Sequence, residues 1–155
     1  MGARDKRHAV PADADVLALD LSNKYSIGVQ LRYSYRLYPS LGHQQALARA
    51  FGCARVVFND ALAVRRHAHQ AGLPYVTNAE LSARLTASKA TAERAWLGEV
   101  SAVVLQQALA DLNAAYRNFF ASRGSGRKGG PPRFRSRKDR RQAIRFTRNA
   151  RPSRR

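Results

Sequence analysis

Chemistry on phosphate esters needs carboxylates gathered around magnesium, often as a pair of ions. The acids of residues 31–155 are Asp60, Glu80, Glu93, Glu99, Asp111 and Asp139, and they are scattered along the chain. Glu80 has a different role in view, because Thr77-Asn-Ala-Glu80 has the spacing of a capping box. Gly124, Gly126, Gly129 and Gly130 make no phosphate-cradling loop: no Lys-Ser or Lys-Thr follows them and no strand precedes them. Ser101, Cys53 and the four histidines form no local nucleophile–base pattern. A single cysteine, Cys53, excludes a disulfide framework and a cysteine-based zinc site. His67 and His69 read as surface side chains. The expectation is a chain with no catalytic residue, no metal and no cofactor. It binds.

What it binds is written in its charge. Lys and Arg total 28 against 10 acids in 155 residues, a formal net charge of +18. Residues 1–30 are neutral, whereas residues 121–155 hold 14 cations and one acid. Such a segment repels itself and calls for an anionic partner. Arginine makes up 23 of the 28 cations, and its planar fork suits bidentate contact with phosphate. A mere solubility tail would be better built from acids. No run of 18 apolar residues occurs, so no membrane partner is expected. The amino terminus shows no apolar core with a cleavage site, which makes the cytoplasm the expected location.

The elements that must position these cations are legible in part. Residues 1–28 read as disordered or foreign to the fold. Residues 31–37 alternate Leu31, Tyr33, Tyr35 and Leu37 with Arg32, Ser34 and Arg36, the pattern of a half-buried strand stopped by Pro39. Leu47, Ala50, Phe51 and Ala54 mark one helix. Val57, Ala61, Val64 and Ala68 mark a second, ended by Gly72. Leu81 and Leu85 mark a third after the capping box. Leu105, Ala108, Leu109, Leu112, Tyr116 and Phe119 mark a fourth from Ser101 to Gly124. Trp96 and Phe120 read as core. Residues 124–132 read as a loop, since glycines and a Pro-Pro pair sustain no regular structure. Residues 133–141 form a basic segment in which Phe134 either stacks on a base or anchors the segment onto the bundle. Residues 143–147 alternate again as a second strand. The expected fold is mainly α: a helical bundle of about four helices inserted between two β-strands.

Five ordered motifs carry a family likeness: Tyr35-Arg-Leu-Tyr-Pro39, Phe51-Gly-Cys-Ala-Arg-Val-Val-Phe-Asn59, Ala95-Trp-Leu-Gly-Glu-Val-Ser101, Leu105-Gln-Gln-Ala-Leu109 and Pro132-Arg-Phe-Arg-Ser-Arg-Lys138. Over residues 29–151 the chain resembles the amino-terminal part of TnpB (OrfB), the insertion-sequence protein related to type V CRISPR effectors. The resemblance implies a first wedge strand in 29–39, a helical recognition domain in 40–123 with a helix-turn-helix region, a basic linker in 124–141 and a second wedge strand in 142–155. It implies an RNA-guided DNA endonuclease whose RuvC-like nuclease domain follows this segment. It also implies DNA and transposon-derived RNA as partners, with no small-molecule substrate. By the same resemblance Gln106, Thr147 and Asn78 are the DNA-contact candidates, Asn78 standing where a tyrosine is common. Arg133, Arg135, Arg137, Lys138, Arg140 and Arg141 would hold the nucleic acid backbone. Gly52, Arg55 and Asn59 are expected to serve helix–helix geometry.

Both ends depart from the family pattern. Val29 is a candidate true start, with residues 1–28 translated from upstream sequence. After Arg151 the wedge sequence gives way to Pro-Ser-Arg-Arg, as a truncation before the RuvC-like domain would produce. The leading expectation is a nucleic-acid-binding fragment without catalysis. A stand-alone inactive regulator competing with full-length TnpB, and one part of a split endonuclease completed in trans, are the alternatives.

Overall fold

The computed structural model describes residues 36–124, 129–139 and 142–147. The chain divides into two units, Met1–Leu37 and Tyr38–Arg155, and the elements below all belong to the second. They are α1 (Leu41–Gln70), α2 (Asn78–Lys89), a 3-10 helix (Ala95–Glu99) and α3 (Ala102–Gly124).

The first two predicted helices are one. Residues 41–70 run without a break, because their apolar stripes join: Ala50, Cys53, Ala54, Val57, Phe58, Ala61, Leu62 and Ala68 are all buried along one face. Gly52 lies inside this helix. It disfavours the helix by roughly 1 kcal/mol relative to alanine, too little to end an element packed against α3 over much of its length. Among the described residues the count is therefore three α-helices and a 3-10 helix.

The ends of α1 and α2 follow their local sequence. Gly72 has φ +65°, a conformation that costs a side-chain-bearing residue about 1–2 kcal/mol. Its N–H donates to the His69 carbonyl at 3.2 Å, and the Leu73 N–H donates to that of Ala68 at 2.8 Å. These are the two bonds of a Schellman stop. The Thr77–Glu80 capping box is formed: the Thr77 N–H donates to Glu80 Oε2 at 2.6 Å, and the Glu80 N–H donates to Thr77 Oγ1 at 3.2 Å. Those bonds to Thr77 hold the Glu80 carboxyl below its usual range.

One core joins the helices. Leu62, Leu97, Leu105, Leu109, Leu112 and Val104 are its fully buried members, each stabilising the fold by about 1.5–3 kcal/mol through burial. Leu81 and Leu85 bring α2 onto it, and Leu97 brings the 3-10 helix. Two ion pairs bracket the 3-10 region against α1: Arg49–Glu99 at 3.4 Å and Arg94–Asp60 at 3.2 Å.

Trp96 and Phe120 depart from the expected core. Trp96 is 37% exposed, with its indole N–H donated to the Glu93 carbonyl at 2.8 Å. Phe120 is 55% exposed, because by the last turns α3 has run past the residues that cover its stripe. Among the described residues there is no strand: residues 36–40 and 142–147 carry no ladder. Residues 31–35 of the first expected strand, and residues 148–155 of the second, lie outside the described residues. Among the described residues no helix is long and apolar enough to cross a membrane.

Candidate nucleic-acid interface

The basic segment after α3 is docked on the bundle as a strap, and each contact has a local cause. Pro131 and Pro132 have no N–H to satisfy, and their rings fix an extended course. Pro132 is buried, and its carbonyl accepts a 2.7 Å hydrogen bond from Arg66 Nη2. The same guanidinium lies 4.7 Å from the Phe134 ring centroid. Of the two roles open to Phe134, this contact uses it as an anchor.

Two turns earlier on α1, Asn59 brackets the strap backbone. Its Nδ2 donates to the Arg135 carbonyl at 3.0 Å, and its Oδ1 accepts from the Arg135 N–H at 2.8 Å. A primary amide here imitates the paired bonds of a β-bridge. Asn59 thus serves the strap, beyond the helix–helix role expected of it.

The Arg135 side chain turns inward. Its guanidinium stacks 3.9 Å from the Phe58 ring centroid and pairs with Asp111 at 3.3 Å. Arg145 reaches the other oxygen of Asp111, also at 3.3 Å. Asp111, the single acid of residues 100–138, therefore holds two points of the strap, and partly buried Ile144 packs on the core beside them. A cavity of about 130 Å³ lies here, lined by Phe51, Arg55, Asp111, Arg135 and Gln142 among others.

The other described cations of residues 133–139 face solvent. Arg133, Arg137 and Lys138 are exposed. The turn carrying the last two is closed by the Lys138 N–H on Ser136 Oγ at 3.1 Å. Gln142 Nε2 reinforces it by donating to the Arg137 and Asp139 carbonyls at 3.1 and 2.9 Å. Arg140 and Arg141 lie outside the described residues.

All three DNA-contact candidates are exposed. Gln106 is exposed on α3, its Nε2 donated to Ser82 Oγ of α2 at 2.8 Å. Asn78 is exposed at the first position of α2, and Thr147 is exposed at the end of the last described segment. Among the described residues no group of three or more His, Cys, Asp or Glu side chains is placed to hold a metal ion.

A further cation that sequence reasoning passed over is buried. Arg65 is 3% exposed, its guanidinium between the rings of Tyr75 at 4.7 Å and Tyr116 at 5.3 Å. Its Nε donates to the Val76 carbonyl at 3.0 Å and its Nη2 to Asn113 Oδ1 at 3.4 Å. One side chain thus ties α1, the 71–77 connection and α3 together. The available signal was Arg65 at helical spacing from the buried stripe residues Ala61 and Ala68. Asp111 and Arg66 were detectable only as an isolated acid and a cation beside the apolar face.

Residues 29–73 match the helix-turn-helix domain of the OrfB family, and in the described part of that stretch α1 is one continuous helix. Over 122 residues the chain is 43% identical to a Streptomyces pristinaespiralis protein named "Putative RNA-guided DNA endonuclease", covering 79% of this chain and 29% of that one. It is 37% identical over 106 residues to InsQ of Escherichia coli, which bears the same description, covering 68% and 25%. It is 29% identical over 91 residues to the virulence protein VsdF of Salmonella dublin, covering 54% and 76%. The chain thus spans between a quarter and three tenths of the two endonuclease relatives. On these matches, the chain carries the helix-turn-helix domain of the OrfB family and is similar to part of two proteins described as RNA-guided DNA endonucleases.

Proposed function

We propose that this chain is a nucleic-acid-binding module of the TnpB type that grips duplex DNA and transposon-derived RNA through their phosphates and carries no catalytic residue of its own. The docked strap carries the reading. Asn59, Arg66 and Asp111 hold Pro132, Arg135 and Arg145 against the bundle, which leaves Arg133, Arg137 and Lys138 exposed between and beside those fastenings. Pre-ordered cations lose less entropy on meeting phosphate than a free tail would. Phosphate contacts position a protein on its partner, and base edges supply specificity. Gln106 is the base-reading candidate, since a glutamine amide pairs bidentately with adenine. For it to read a base, its bond to Ser82 must open.

Co-purification tests the RNA half of the reading. The chain is expressed with the flanking transposon transcript, and the RNA retained after a moderate-salt wash is sequenced. Enrichment of transposon-end RNA over bulk RNA is the expected result. Recovery of RNA in proportion to abundance would contradict specific recognition.

A further inference from the structure

The carboxy-terminal half of α3 and the α1–α2 connection build an aromatic face that the strap does not cover. Tyr116 and Phe120 lie on successive turns with rings stacked, centroids 6.0 Å apart and planes 28° apart. Phe119 adds a tilted ring 5.3 Å from Phe120, and Tyr75 meets Tyr116 edge-on at 6.4 Å. Phe120 and Tyr75 are 55% and 53% exposed. Two exposed rings backed by two half-buried ones make an apolar surface that favours a covering partner.

The charge around these rings indicates what. Arg123 lies over Phe119 at 5.9 Å, and Arg65 backs both Tyr75 and Tyr116. Arg66 and Arg65 both act electrostatically on the Tyr116 hydroxyl. Residues 112–138 contain no acid, so the α3 side of the face is aromatic and cationic, while on the far side of Tyr75 Glu80 lines a cavity together with Arg84. A protein partner would need an apolar patch bordered by acids. A single-stranded nucleic acid offers a π-face on every base and a phosphate at every step, which are the two features that stacked rings and flanking arginines select.

We propose that Tyr75, Tyr116 and Phe120, flanked by Arg123, form a stacking platform for unpaired bases of a single-stranded nucleic acid, RNA in this context. The inference rests on the RNA-binding part of the function proposed above. It adds a site on α3 built from residues other than the strap's exposed cations, and a mode of contact: stacking without reading of base edges. In a duplex the faces of the bases are already stacked, so the platform distinguishes single from double strands.

The test uses the full chain and a fluorescein-labelled, mixed-sequence RNA of roughly 12 nucleotides, with a DNA duplex of the same length as control. Phe120→Ala removes an exposed ring without opening the core. It is expected to weaken single-strand binding on the order of fivefold or more, to leave duplex binding unchanged, and to leave the salt dependence unchanged because no charge is lost. Phe120→Tyr, which keeps the ring, is expected to restore single-strand affinity. Unchanged single-strand affinity in Phe120→Ala would overturn the platform, as would equal losses on both probes. If the unmodified chain fails to bind the RNA at all, the RNA-binding reading falls and the platform falls with it.

Discussion

Asn59 of α1 and Arg135, 76 residues further along the chain, exchange two hydrogen bonds of 3.0 and 2.8 Å. With that bracket the most basic part of the sequence becomes part of the folded surface. Each bond contributes about 0.5–1.5 kcal/mol, enough to hold a segment locally and too little to secure the whole bundle.

Asn59→Ala is therefore expected to release the strap while the bundle stays folded. Trypsin should cut after Arg133, Arg135 or Arg137 faster in the variant, with the helical circular dichroism unchanged. Equal cleavage rates would show that the bracket is dispensable.

Asp111→Asn tests the other fastening. The substitution frees Arg135 and Arg145 from their shared carboxylate and makes both available to phosphate. The slope of log K against log salt for duplex DNA should steepen by about one to two. An unchanged slope would mean that the two arginines stay docked without Asp111.

Arg65 is held by hydrogen bonds at Nε and Nη2, whereas its buried Nη1 has no hydrogen-bond partner. Arg65→Ala should destabilise the fold by about 3 kcal/mol, through lost packing and the orphaned Val76 carbonyl. Arg65→Met should cost less, because an apolar side chain of similar length fills the space between the tyrosines without a desolvated charge. Urea unfolding of the two variants checks the order, and equal losses would contradict it.

Two glycines should respond to alanine with opposite signs. A Cβ at Gly52 or at Gly72 would meet no atom within 4 Å, so backbone conformation alone decides. Gly52→Ala inside α1 should stabilise by roughly 0.5–1 kcal/mol. Gly72→Ala, at φ +65°, should destabilise by about 1 kcal/mol. Thermal melts of both variants measure this, and the same sign in both would refute it.

The features legible in the sequence are those set by neighbours along the chain. The Thr77–Glu80 box, the Gly72 stop and the Leu105-to-Tyr116 stripe each depend on residues within a few positions of one another. The union of the first two expected helices was not legible, because Gly52 and a shift of the stripe near Val57 imitate a boundary that packing against α3 overrides. The strap was legible as charge and not as structure, since Asn59 and Arg135 meet only after the bundle has formed. Phe120 was misread for a related reason: it continues the apolar stripe of α3 beyond the point where any other element covers it.

The most direct test of the account is a salt titration of the full chain on duplex DNA, read by fluorescence anisotropy. If about half of the 12 tail cations other than Arg135 and Arg145 meet phosphates, the slope of log K against log salt should be on the order of −5. It should become less steep by about two to three when Arg133, Arg137 and Lys138 are changed together to glutamine. A slope near zero in the unmodified chain, or one that the triple variant leaves untouched, would contradict the claim that the docked arginine strap is what grips nucleic acid.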